Sequence, residues 1–311
     1  MVRAFNAEQV AERLDYPSLV DVIDGGFRAD VIIPPRHYHT LPVEGGRDAT
    51  FLLMPAWNAD FVGLKTVVVA PDNAARKLPT VQAGYQLMDR ETGQLLALVD
   101  GDELTARRTA SASALASRYL SRPDASRLTM VGTGVLALHL IAAHVTQRPI
   151  EEVVIWGRNP SKAEALVEKM EGHKLSVCAV SDLEAAVNGA DIISCATLAV
   201  DPLIKGDWLK PGQHLDLVGA FTPEMREVDD TAISRTEIYI DTDDAKSTAG
   251  EICDPLARSV ISEADILGTL YDLAGGRVVS PRSGPEAITL FKSAGSAVED
   301  LAAAVLVYER A

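Results

Sequence analysis

The stretch RLTMVGTGVLALHL, residues 127–140, decides the fold. Leu128–Val131 is an apolar run with the length of a buried strand. It meets Gly132-Thr133-Gly134-Val135-Leu136-Ala137, a glycine-rich turn that opens a helix-forming segment. In a G-x-G-x-x-A pattern the first glycine permits a tight turn and the second lets the backbone approach a pyrophosphate. The small third residue lets helix and strand pack closely, with the phosphates at the helix N-terminus. Taken alone, the pattern also fits an ordinary strand–helix turn, and the chain that follows decides between the two. Val153–Trp156, Leu175–Val180, Asp191–Ser194 and His214–Val218 read as four further short strands. Between them, Leu136–Val145, Ser161–Met170 and Leu183–Val187 read as helices. This alternation implies parallel pairing with right-handed crossovers, an α/β class domain with a doubly wound Rossmann sheet. Gly132, Thr133, Gly134, Val135 and Leu136 are its candidate cofactor-binding residues.

The second strand ends in Trp156-Gly157-Arg158-Asn159-Pro160-Ser161, with Arg158 about 21 residues beyond Ala137. An acidic residue here would bind the two ribose hydroxyls of NAD. Arg158, with Asn159 and Ser161 beside it, instead suits a 2′-phosphate, so NADPH is the expected cofactor and NADH the second choice. The alternative for Arg158 is a solvated loop residue.

Before the nucleotide domain the texture differs. Residues 6–29 read as two short helices. FLLMPAW, VGLKTVVVA, YQLMD and QLLALVD, between residues 51 and 100, read as antiparallel strands with a hairpin at Gly93. A helix over Leu104–Leu120, rich in small residues, follows. Pro285 to Arg310 reads as one long helix returning to the first domain. The expected organisation is a discontinuous α+β substrate-binding and dimerisation domain, residues 1–120 and 285–311, around a Rossmann domain, residues 121–284.

At 311 residues the chain has room for two domains. Its formal charge of −15 argues against nucleic acid or an anionic membrane as partner. There is no apolar run long enough to span a membrane and no secretory signal core, and a cytoplasmic enzyme is expected. Cys178, Cys195 and Cys253 are too few and too scattered for a disulfide framework or a metal site.

With the nucleotide loop placed, Gly63-Leu-Lys-Thr66, Gly101-Asp-Glu-Leu-Thr-Ala-Arg-Arg-Thr109, Val131–Ala137 and Pro285-Glu-Ala-Ile-Thr-Leu-Phe-Lys-Ser-Ala-Gly295 come into view together. Their order and spacing resemble the ornithine cyclodeaminase/μ-crystallin family over most of the chain. The resemblance implies a Rossmann domain joined to a substrate and dimerisation domain, and a homodimer. It also implies one of several activities: ornithine cyclodeaminase, archaeal-type alanine dehydrogenase, or NAD(P)H-dependent reductase of cyclic ketimines. Three cations match the family's substrate-binding positions: Arg36 in Pro-Pro-Arg-His-Tyr-His, Lys65, and Arg108. Two arginines can hold a carboxylate through planar paired hydrogen bonds, and a desolvated lysine can exchange protons near neutrality. Lys65 is therefore the candidate catalytic residue. Met54 as a substrate-pocket residue and Thr197 beside the nicotinamide follow from the resemblance alone.

One departure bears on the chemistry. After the fifth strand, where the family's cyclodeaminases and alanine dehydrogenase carry an aspartate, this chain has Phe221. Phenylalanine neither accepts a proton nor orients water, which cyclodeamination requires at several steps. Reduction of a preformed C=N bond requires mainly positioning. Phe221 is expected to wall the substrate ring, and a ketimine reductase is favoured. The competing readings are the cyclodeaminase, the alanine dehydrogenase, and a non-catalytic NADP-dependent small-molecule binder.

Other polar residues carry less. His37 and His39 alternate on a strand beside Arg36. His139 and His144 read as structural, and Cys195 as packing rather than nucleophile. Arg107 reads as a surface residue, Ser283–Glu286 as a helix start, and Lys292 as a candidate only. Residues 222–272 hold 13 acidic against 4 basic residues, a net of −9 expected to form a solvated face.

Overall fold

A computed structural model describes residues 1–172 and 174–311. The chain divides into two compact units, Met1–Arg108 with Ser296–Ala311, and Thr109–Gly295. No helix among the described residues is long and apolar enough to cross a membrane.

The first unit runs β1 (Arg3–Phe5), α1 (Ala7–Arg13), α2 (Tyr16–Arg28), β2 (His37–Leu41), β3 (Ala49–Trp57), β4 (Phe61–Val69), β5 (Val81–Asp89), β6 (Leu95–Asp100) and the start of α3 (Gly101–Leu120). Local chemistry sets the helix starts. Asn6 and Gln9 form a capping box on α1, and Asp15 accepts from the Ser18 N–H at the start of α2. The strands form one sheet in the order β1-β6-β5-β4-β3-β2, antiparallel except where β1 joins β6. Gly93, at φ +71°, turns the chain between β5 and β6.

On β4 burial alternates, with Gly63, Lys65 and Val67 facing inward. Register then fixes Lys65's neighbours: Met54 of β3 lies opposite on one side and Tyr85 of β5 on the other. Directly paired residues share a face, so the three side chains form one row across the sheet. Gly63, two residues from Lys65, leaves room for the Tyr85 ring. A Cβ there would lie 1.8 Å from the Tyr85 hydroxyl.

The second unit contains the rest of α3, then β7 (Arg127–Val131), α4 (Leu136–Gln147), β8 (Glu152–Trp156), α5 (Pro160–Lys169), β9 (Ser176–Val180), α6 (Leu183–Gly189), β10 (Ile192–Cys195) and β11 (His214–Leu217). It continues through α7 (Asp230–Ser234), β12 (Glu237–Ile240), α8 (Ala245–Thr248), α9 (Gly250–Ala257), β13 (Ile266–Thr269), α10 (Leu270–Ala274) and β14 (Thr289–Lys292). Its eight strands are all parallel, in the order β13-β12-β14-β11-β10-β7-β8-β9. The order reverses between β7 and β10, which makes the C-terminal ends of those strands the expected ligand crevice. The doubly wound α/β fold read from the sequence is what the chain adopts.

The expected single helix over Pro285–Arg310 is not what forms. Thr289–Lys292 is strand β14, inserted between β11 and β12, and only Ala297–Glu309 is helical, as α11. Ile288 and Phe291 suggested a helical stripe, but every residue from Ile288 to Ser293 is buried. A strand covered on both faces has no period to read. Ser283–Glu286 correspondingly starts no helix; the Ser283 N–H donates to the Glu237 carboxylate. The chain turns at Gly295, at φ +78°, and α11 packs on β3, β4, β5 and α2 of the first unit.

Candidate active site

The first unit buries a cluster of charges around Lys65. Its Nζ lies 2.7 Å from Asp300 Oδ2 and 2.9 Å from Oδ1, and neither side chain has more than 2% of its surface exposed. Arg108 shares the same carboxylate, Nε to Asp300 Oδ1 at 2.8 Å, and pairs with Glu299 Oε2 at 2.5 Å through Nη1. Arg36, partly exposed in the segment before β2, adds a third positive charge felt by both Lys65 and Asp300. Lys65 and Arg108 thus share the Asp300 carboxylate, with Glu299 as a second partner of Arg108 and the Arg36 charge nearby.

Burial first, and then the Arg108 charge, pull the Lys65 ammonium down to about 8; Asp300 opposes and Arg36 adds to the pull. Burial would raise the Asp300 carboxyl, but Arg108 and Lys65 outweigh it and hold it below the usual carboxylate range. Burial, with Asp300 nearby, pushes the Tyr85 phenol well up, so it stays protonated. The Tyr85 hydroxyl makes no hydrogen bond among the described residues. The cluster can therefore present a proton, on Lys65, that leaves at about pH 8. Met54 lies beside Lys65, buried. Arg107 is not a plain surface residue: it pairs with Glu103 at 2.6 Å, donates to the Leu14 carbonyl and covers the Tyr16 ring. His37 and His39 are both exposed on β2.

Sequence reasoning missed Asp300, Glu299 and Tyr85. The available signal was Glu299-Asp300 interrupting the apolar face of GSAVEDLAAAVLV. Adjacent acids in a first helical turn read as dipole partners of the helix, whereas here both are fully buried.

The second unit supplies a dinucleotide cradle. Gly132 stands at φ +123°, and a Cβ there would come within 2.5 Å of the Ala196 carbonyl oxygen. Gly134 is the opposite case: nothing lies within 4 Å of where its Cβ would be. The first glycine is thus demanded by the turn, and the second leaves backbone open to a pyrophosphate. Thr133 packs on Gly157, while Val135 stands exposed before α4, whose first residue is Leu136. Arg158 is exposed after β8 and makes no ion pair among the described residues. Asn159 caps α5 by accepting from the Ser161 N–H at 3.1 Å, with Pro160 in the first turn. These residues fit a dinucleotide, and a 2′-phosphate would find Arg158 free to pair.

Thr197, after β10, has both its N–H and its hydroxyl donating to Glu227 Oε1, at 2.7 and 2.8 Å. Phe221, after β11, is half exposed. Lys292 is wholly buried on β14 and donates to the Leu217 carbonyl. Cys195 is buried, and burial pushes its thiol well up, which disfavours the thiolate. His144 is buried against Asp216 at 3.1 Å, in a core network with Ser194.

The solvated acidic face expected of residues 222–272 holds only in part. Glu227, Asp241 and Glu251 are buried acceptors. Asp241 Oδ2 takes the N–H groups of Ala294 and Gly295, each at 2.6 Å, where the chain leaves β14. Charge counting could not see this, because each of the three carboxylates accepts from backbone N–H groups that only the folded chain brings to it.

Known proteins share this architecture. The Delta(1)-pyrroline-2-carboxylate reductase of Colwellia psychrerythraea is 37% identical over 99% of both chains. Among solved structures, Thermococcus litoralis Delta(1)-pyrroline-2-carboxylate reductase, in complex with NADH and L-proline, aligns with a TM-score of 0.92 at 29% identity. That alignment covers 99% of this chain and 97% of that one. An archaeal alanine dehydrogenase dimer with bound NAD gives the same score at 28% identity, over 99% and 95%. The family model described as ornithine cyclodeaminase/mu-crystallin matches residues 4–311. The chain therefore belongs to the ornithine cyclodeaminase/mu-crystallin family.

Proposed function

We propose that this protein is a nicotinamide-dependent reductase of cyclic ketimines. In this reading it converts Δ1-pyrroline-2-carboxylate to proline and Δ1-piperideine-2-carboxylate to pipecolate. The observation that carries it is the buried Lys65–Asp300–Arg108 cluster, in a chain with Phe221 where a deaminase needs a carboxylate. Arg36 and Arg108 hold the substrate carboxylate, and their planar guanidinium groups orient it. Met54 gives the ring an apolar wall, and Phe221 is a substrate residue on the family resemblance. Lys65 keeps the imine nitrogen protonated, directly or through one water, and so makes C2 electrophilic. When bound, the reduced nicotinamide supplies the hydride to C2. In the second unit Gly132, Thr133, Gly134, Val135 and Leu136 hold the pyrophosphate, while Thr197 adjoins the nicotinamide. Arg158, with Asn159 and Ser161, holds the adenosine phosphate, which favours NADPH over NADH. The unit formed by the two chain ends carries substrate binding and dimerisation, and the protein works as a cytoplasmic homodimer.

The test is oxidation of NADPH and NADH, followed optically, with each ketimine offered across pH. Turnover with both rings and a preference for NADPH are expected. The acidic form of Lys65 is lost as pH rises through about 8, so kcat/KM should fall above that value. A flat profile from pH 7 to about 9.5 would remove Lys65 from the proton step. Ammonia release from ornithine, or NADPH binding with no imine turnover, would overturn the reductase reading itself. Arg158→Ala should weaken NADPH by about tenfold or more with little change for NADH, measured by fluorescence titration. Equal losses would show that Arg158 does not read the 2′-phosphate.

A further inference from the structure

Glu227 has no part in the chemistry above, yet its carboxylate accepts from three donors on two separate loops of the second unit. It is buried, and both of its oxygens are occupied. Oε1 accepts from the N–H and hydroxyl of Thr197, and Oε2 accepts from the Gly219 N–H at 2.8 Å. Thr197 follows β10 and Gly219 follows β11, so one side chain fastens two successive loops at the C-terminal edge of the sheet. Little slack is left between those loops. A Cβ on Gly219 would lie 2.1 Å from the Thr197 carbonyl oxygen and 2.4 Å from its nitrogen. The dinucleotide turn packs on the same loop, through Gly132 against Ala196.

A second carboxylate fastens the first. Glu251 Oε1, at the start of α9, accepts from the backbone N–H groups of Glu227 and Val228, at 2.6 and 3.0 Å. Its neighbour Gly250 donates to the Thr222 carbonyl, and a Cβ there would meet the Met225 oxygen at 2.2 Å. The loop bearing Phe221 is thus held at both ends. Burial raises the Glu227 carboxyl, and the field of buried Lys292 opposes that rise. These two loops also carry exposed apolar side chains, Leu198, Val200 and Phe221. An apolar rim on rigid loops suits a flat uncharged ring, while phosphates belong at the open backbone of Gly134.

We propose that Glu227 is a positioning residue for the nicotinamide end of the cofactor, fixing the Thr197 and Gly219 loops while leaving the adenosine and pyrophosphate end untouched. This rests on the reading that the second unit binds a nicotinamide dinucleotide. Because Glu227 uses both oxygens on three donors, an amide cannot replace it: a glutamine NH2 would face an N–H or O–H. Glu251 accepts through Oε1 alone, so glutamine can serve there.

The experiment titrates wild type and variants with NADPH and with 2′-phospho-ADP-ribose, which lacks only the nicotinamide. Glu227→Gln should raise the NADPH Kd by about tenfold to a hundredfold and leave 2′-phospho-ADP-ribose nearly unchanged. Glu251→Gln should change neither appreciably. Thr197→Val, which removes one donor and keeps the fold, should show the same selectivity to a smaller degree. Without ligand, amide exchange at Thr197 and Gly219 should quicken in Glu227→Gln. A residue that merely stabilises the unit would weaken both ligands together. That outcome, or unchanged NADPH binding and amide exchange, overturns the proposal. Failure of wild type to bind NADPH would instead overturn the cofactor reading.

Discussion

Replacing Lys65 with methionine should lower kcat/KM for either cyclic ketimine by about 10²- to 10⁴-fold while NADPH binds as before. Methionine keeps the length and apolar body of the side chain, so the row Met54–Lys65–Tyr85 can stay packed. What disappears is the Lys65 ammonium and its transferable proton. The loss should fall on kcat as well as KM if, as proposed, Arg36 and Arg108 still hold the carboxylate. The decline in kcat/KM above pH 8 should vanish in the variant along with most of the rate. Steady-state kinetics with a parallel NADPH titration separates the outcomes. Turnover equal to wild type would end the assignment of Lys65 as proton donor.

Asp300→Asn should have the largest effect on stability. It leaves Lys65 and Arg108, both nearly solvent-free, facing an amide where a shared carboxylate stood. Breaking a buried ion pair from one side costs about 3–5 kcal/mol, and the Tm should fall by about 10 °C. The sign of the pH dependence follows from Lys65. Its folded pKa already lies below its ordinary value, and Asp300 is the group that opposes this lowering. Without Asp300, folded Lys65 releases its proton more readily than the unfolded chain does. The unfolded state then binds more protons, and stability rises with pH. The penalty should therefore be deepest at acidic pH and shrink as the lysine becomes neutral. Adding Lys65→Met to Asp300→Asn should recover part of the lost stability, since it removes one stranded charge. Strictly additive losses in thermal unfolding would show that the pair does not couple.

The alternating strands and helices from Arg127 to Leu217 were legible because each strand is a short apolar run closed by turn residues. The turn Gly132–Ala137 was legible because its two glycines do different work, one for the bend and one for open backbone. Arg36, Lys65 and Arg108 came from the family resemblance, and the alternation on β4 then explained why Lys65 is buried. Strand β14 was not legible. Thr289–Lys292 is covered on both faces, and its apolar residues fell by chance at helical spacing. The buried acids were the largest gap. Glu299, Asp300, Glu227 and Glu251 occur in sequence among other acids or at helix starts, where water or a helix dipole would account for them. Only tertiary structure shows that their partners stand elsewhere: Asp300's lysine is 235 residues away, and Glu299's arginine 191.

Those separations have a consequence for how the protein is made. On the ribosome, β4 and the first turns of α3 emerge long before α11. Through that interval Lys65 and Arg108 lack Asp300 and Glu299, and their sheet lacks the helix that covers it. The second unit is contiguous in sequence and can close on itself as it emerges, whereas the first must wait for the last residues of the chain. Its two ends meet through the ion pairs of Asp300 and Glu299, so a chain stopped just before α11 would hold all of the second unit but a first unit without those two carboxylates.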